Sequence, residues 1–108
     1  MTNQIIKSSY TNDIFDVSVI IVNWNAGKYL EETITSLRDK TKDISYEIIL
    51  IDNNSNKDEE SYLYLENLVK FDNVTLIKSN ENLGFAKANN VGMSLAKGRN
   101  FCLCSSSR

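Results

Sequence analysis

The chain has 108 residues, room for one domain of ordinary size, and its 42% apolar and 24% charged residues exclude a disordered or collagen-like polypeptide. Twelve basic against 14 acidic residues give a net charge of −2, too little clustered positive charge for a broad nucleic-acid face. Histidine is absent, which excludes a Ser-His-Asp triad, a Cys-His dyad, a His-bound zinc and a His general base within this chain.

Residues 1–16 form a polar lead without a clear period, expected as a mobile arm or an added sheet edge. The lead has no apolar core of the signal-peptide kind, and no apolar run in the chain is long enough to span a bilayer. A cytoplasmic protein without a transmembrane segment is the expectation. The domain proper is expected over residues 17–108.

Residues 17–22 (VSVIIV) are a β-branched run of the kind buried on both faces of a parallel sheet. Asn23, Trp24, Asn25, Ala26 and Gly27 end it. Leu30, Ile34 and Leu37 then recur at i, i+4 and i+7, which predicts a helix over 28–40, capped by Asn25 or a near neighbour. Residues 46–51 (YEIILI) predict a second strand. Ser55, Asn56, Lys57 and Asp58 have capping-box spacing and predict a helix start there, with Tyr62, Leu65, Leu68 and Val69 facing inward. Residues 74–77 predict a third strand. Phe85, Ala88, Val91, Gly92, Leu95 and Ala96 recur at helical spacing, with Gly98 placed as the residue that ends the helix. Phe101, Cys102, Leu103 and Cys104 predict a fourth strand. The two cysteines, at i and i+2, read as small strand hydrophobes and not as a disulfide.

Strand and helix alternate three times and a strand closes the series. This predicts an α/β fold, a Rossmann-like three-layer half with four mainly parallel strands in spatial order 3-2-1-4 and three helices. Ligands of such sheets bind beyond the carboxyl ends of the strands. No dinucleotide fingerprint, P-loop or receiver-type acidic pair stands at those ends. Instead there is Trp24, whose indole either stacks on a base, with Asn23 and Asn25 alongside, or packs on its own helix. Asp52 either accepts from a ribose hydroxyl or base N–H, or satisfies the turn at Asn54 and Ser55. Asn89 and Asn90 stand in a helix interior, where Asn is a poor helix former, which points to a polar role.

Residues 17–25 (VSVIIVNWN), 48–55 (IILIDNNS) and 80–98 (NENLGFAKANNVGMSLAKG) resemble the N-terminal half of family 2 glycosyltransferases of the GT-A fold, most closely the rhamnosyltransferase-like branch. The resemblance implies a nucleotide-diphosphate sugar donor, such as a UDP- or dTDP-sugar, and inverting transfer to an acceptor hydroxyl. It places Trp24 beside the base, Asp52 on the acidic residue that meets base or ribose, Asn89 where many relatives carry Arg, and Asn90 on the Asn of the family's helix motif. Asn23, Asn25 and Asn54 belong to the same nucleotide-binding loops.

Relatives carry a DXD-like motif after the fourth strand, whose Mg²⁺ or Mn²⁺ neutralises the donor diphosphate. This chain has Ser105, Ser106 and Ser107 there, so no metal or cofactor and no catalytic residue is expected within it. The implied reading is a glycosyltransferase domain truncated at the metal motif and inactive alone. The alternative is a non-catalytic α/β module for nucleotide or protein binding. A homo-oligomer covering the fourth strand is also expected, because an exposed apolar edge tends to pair.

Overall fold

The computed structural model describes residues 3–7, 15–68, 70, 71 and 73–107. Val69, expected on the inner face of the second helix, lies outside them. In chain order the elements are β1 (Asn3–Lys7), β2 (Phe15–Trp24), α1 (Lys28–Lys40), β3 (Tyr46–Asp52), α2 (Glu60–Leu68), β4 (Val74–Ser79), α3 (Phe85–Leu95) and β5 (Gly98–Ser107). They build one sheet in the order β1-β4-β3-β2-β5. The four strands from β4 to β5 are parallel to their neighbours, in the expected 3-2-1-4 arrangement. From the lead, Asn3–Lys7 adds an antiparallel edge against β4. β2 starts at Phe15, ahead of the strand start expected at Val17, because Phe15 is already buried and paired with Gly98.

Helices cover the two sheet faces unequally. On one face, Leu30, Ile34, Leu65 and Leu68 of α1 and α2 pack on Val19, Ile21, Ile48, Leu50, Val74 and Leu76. On the other, α3 covers Ile20, Val22, Ile49, Ile51 and Ile77. Burial of β2 and β3 on both faces explains why their sequences read as unbroken apolar runs rather than alternating ones. α3 lies close to the sheet because Gly92 has no side chain. A Cβ there would stand 2.6 Å from Cγ2 of Ile20 and 2.7 Å from Cδ1 of Ile51.

One local expectation is narrowed and two are corrected. Of Asn25 and its near neighbours, Gly27 caps α1, at φ 62°, and makes no side-chain cap bond. Asn25 itself has φ 47°, and its Oδ1 accepts from the backbone N–H of Asn56. Ser55 does not open α2, which begins at Glu60; the carboxylate of Glu59 instead accepts from the Ser61 backbone N–H at 2.8 Å. Gly98 does not end α3, which closes on Ala96 in extended geometry.

Gly98 is the first residue of β5, and its lack of a Cβ serves strand packing. A Cβ would lie 2.5 Å from both N and Oγ of Ser18 and 2.7 Å from C of Val17. Backbone atoms cannot move aside as a side-chain tip can. Gly98→Ala is therefore expected to force β5 off β2, costing about 3 kcal/mol, or roughly 12 °C in Tm. Gly84→Ala meets no atom within 4 Å and carries only the strain of φ +80°, about 1 kcal/mol. Thermal melting of the two variants checks the order; equal losses would contradict the close approach.

Candidate functional site

The carboxyl ends of β3, β2 and β5 stand level. Asn23 of β2 lies opposite Asp52 of β3 on one side and Ser106 of β5 on the other. Trp24 lies opposite Ser107. The fold thus brings the first, second and last motifs to one rim.

Below that rim is a buried polar cluster. Asp52 accepts through Oδ1 from Asn23 Nδ2 at 2.9 Å and from Ser55 Oγ at 2.7 Å, and through Oδ2 from the Ser55 backbone N–H at 3.1 Å. Three of its roughly four acceptor positions are filled from within the chain. Asn23 Nδ2 also lies 3.2 Å from Ser61 Oγ. Ser61 Oγ accepts from the Ala26 N–H at 3.1 Å and donates to Glu59. The Asn25 N–H donates to Ser55 Oγ at 2.9 Å. Asp52 therefore holds its turn, one of the two roles its position allowed, and it does so together with the loop after β2. Ser61 was not singled out from sequence. Its signal was there: with Leu65 and Leu68 it forms an i, i+4, i+7 stripe, the inward face of α2, with a polar member at the rim.

The expected site residues are split by the sheet. Asn23 and Asp52 continue the sets that face α1 and α2, whereas Trp24 continues the set that faces α3. Trp24 is 37% exposed at the strand end, and Asn54, at φ 66°, is exposed in the turn after β3. Asn89 and Asn90 also separate. Asn89 is 4% exposed, and its Oδ1 has no hydrogen-bond partner among the described residues; Asn90 is exposed.

A second clasp, on the loop between β4 and α3, involves Asn53, a residue the motif reading passed over. Its Nδ2 donates to Asn82 Oδ1 at 3.1 Å, and its Oδ1 accepts from the Leu83 N–H at 2.8 Å. Lys78, opposite Asp52 in the ladder, is held by Glu66 at 3.1 Å and lies over the Tyr62 ring. Burial works against its charge, but the bonds to Glu66 and Tyr62 outweigh it and hold the ammonium pKa above its ordinary value.

A Mg²⁺ or Mn²⁺ ion does not fit this donor set. Ser105, Ser106 and Ser107 bring no carboxylate, the oxygens of Asp52 are buried and engaged, and no group of three His, Cys, Asp or Glu side chains converges among the described residues.

Asp52→Ala would leave the backbone N–H and hydroxyl of Ser55 without their buried acceptor and take from Asn23 Nδ2 its shortest bond, an expected loss of about 2–3 kcal/mol, near 10 °C in Tm. Trp24→Ala, at an exposed rim position, is expected to stay within about 2 °C of the parent. Calorimetric melting of the pair tests this division between scaffold and surface; a larger loss at Trp24 would reverse it.

Residues 18–106 match the model of the family described as "Glycosyl transferase family 2". Over 86 residues the chain is 34% identical to an uncharacterized glycosyltransferase of Haemophilus influenzae, a match that takes in 79% of this chain and 26% of that relative. The chain thus spans about a quarter of the length of the curated relative it matches. No helix among the described residues is long and apolar enough to cross a membrane. With the strand-end rim, the parallel sheet and a match covering most of its length, the chain belongs to glycosyltransferase family 2.

Proposed function

We propose that this chain is the nucleotide-binding part of an inverting, rhamnosyltransferase-like glycosyltransferase that takes a UDP- or dTDP-sugar as donor. The observation that carries the reading is the exposed Trp24 at the carboxyl end of β2, with β3 and β5 beside it, on a rim built from a family 2 sequence. The indole offers a stacking face to a pyrimidine base. Asn54 and Asn90 offer exposed amides, and Asn89 adds a buried carbonyl oxygen with no donor among the described residues. Asn23, Asn25 and Asp52 act by fixing the strand-end loops of this rim.

Sugar transfer needs more than this rim supplies. The leaving diphosphate would face serine hydroxyls without a carboxylate to bring in a dication, and a metal clamp is worth several kcal/mol of transition-state stabilisation. The 108-residue chain is therefore read as binding nucleotide without turning over.

Titration calorimetry with UDP and dTDP is expected to show weak binding that Mn²⁺ does not change. Trp24→Ala is expected to weaken it at least about tenfold, the size of one base–aromatic stack. Incubation with a panel of nucleotide sugars is expected to release no nucleotide diphosphate. Absence of binding to every nucleotide would overturn the reading, and metal-dependent release lost in Trp24→Ala would overturn the assignment of inactivity.

A further inference from the structure

β4 lies between β3 and β1. Its residues are buried apart from Lys78, and that one charge is drawn to the α2 side by Glu66 and the Tyr62 ring. Nothing in the sequence of β4 therefore guards it as a sheet edge, and its cover comes from β1.

The two ladders that flank β4 end at different heights. β3 pairs with it from Val74 to Lys78, where Asp52 is the partner. β1 pairs with it from Leu76, opposite Lys7, to Ser79, opposite Asn3. Among the described residues the last residue of β4 is thus paired by β1 alone. The register shifts by one residue between Ile5 and Lys7, so the regular part of the pairing is Asn3, Gln4 and Ile5, at the carboxyl rim.

Ser79 is where the loop into α3 begins. Its Oγ donates to the Glu81 carbonyl at 2.7 Å and accepts from the Glu81 N–H at 3.3 Å. Further on, the Asn53 side chain accepts the Leu83 N–H, and Asn82 Oδ1 accepts the Gly84 N–H at 2.8 Å. α3 follows Gly84 directly, and no side-chain bond caps it. The loop of residues 80–83 is therefore supported at Asn53 and at Ser79, and the second support is set by β1.

We propose that β1 is a positioning strap for the rim: its pairing with the end of β4 holds the loop of residues 80–83 and the start of α3 in place. With four paired residues it is the shortest ladder in the sheet, and such a ladder opens ahead of the core. When it opens, Ser79 loses its ladder partner and the loop keeps only the clasp at Asn53. The consequence for ligand binding rests on the nucleotide reading above: Asn89 and Asn90 stand on the first turns of α3, so release of the strap loosens one side of the nucleotide site.

Hydrogen exchange of the full 108-residue chain tests the strap without any ligand. At low denaturant the Leu83 and Gly84 amides are expected to open together with those of β1, before the amides of β2 and β3. Gln4→Pro combined with Ile5→Pro keeps an extended backbone but removes two successive N–H groups, one of which points at β4. In that variant Leu83 and Gly84 are expected to exchange at least about tenfold faster, with β2 and β3 amides within about twofold of the parent. The dissociation constant for UDP is expected to rise at least about threefold. Leu83 and Gly84 amides that open only with the β2–β3 core of the parent would overturn the strap, and this measurement needs no variant. So would a folded double proline variant that leaves their exchange unchanged. Faster exchange with UDP affinity unchanged would overturn the link to the nucleotide site. A parent that binds no nucleotide would overturn the nucleotide reading, and exchange alone would then decide for or against the strap.

Discussion

Parallel strands have no hairpin to set their register, so the central pair of this sheet depends on side chains to do it. Two polar cross-strand pairs stand in line within the apolar ladder of β2 and β3. Asn23 bonds Asp52 at the carboxyl end, and Ser18 Oγ bonds Glu47 Oε2 at 2.7 Å near the other. All four residues are buried. A one-residue slip would turn each side chain to the opposite face and strand two carboxylates in the core. A buried charge without its partner costs several kcal/mol, so the polar pairs act against alternative registers more than they add to net stability. The same pairs reach outward. Glu47 accepts from the Lys97 N–H at 2.5 Å and Ser18 Oγ from the Gly98 N–H at 2.7 Å, so the start of β5 is located by the pair that locks β2 on β3.

The rim above Asp52 inherits that order. The loop after β2 and the turn after β3 share Ser55, which bonds Asp52 on one side and the Asn25 N–H on the other. Asn53 ties the same turn to the loop before α3. Trp24 and Asn54 stand exposed on the strand end and turn that these bonds fasten. Preorganised surfaces of this kind lose less ordering entropy when a ligand arrives.

The architecture was legible because it rests on periodicity and on the handedness of crossovers. Apolar runs marked β2, β3 and β4, and the helical stripes marked α1 and α3. What escaped was the choice between competing local roles. Ser55 satisfies a capping-box pattern and also an Asp-x-x-Ser turn; burial of Asp52 decides for the turn, and burial is a tertiary fact. Gly98 fits a helix end and also a close strand approach; the 80-residue separation from Ser18 hides the second. Ser18 and Glu47 were visible as polar residues inside apolar strands, but only the register shows that they meet. The division of the expected site residues between the two sheet faces, and the burial of Asn89 beside exposed Asn90, needed the helix packing to be known.

The position of β5 also sets a timetable. Emerging from the ribosome, β2, β3 and β4 are joined by short right-handed crossovers and meet as soon as they are made. The remaining side of β2 waits for a strand some 80 residues downstream, the separation between Ser18 and Gly98. Long-range closure of that kind is slow beside local pairing. Until it happens, β2 is itself the open margin of a sheet of β1, β4, β3 and β2, with Ser18 and Glu47 lacking the amides of Gly98 and Lys97. The segment from Gly98 on thus completes the sheet beside β2, and a nascent chain halted before residue 98 would present the unpaired side of the apolar run VSVIIV to chaperones.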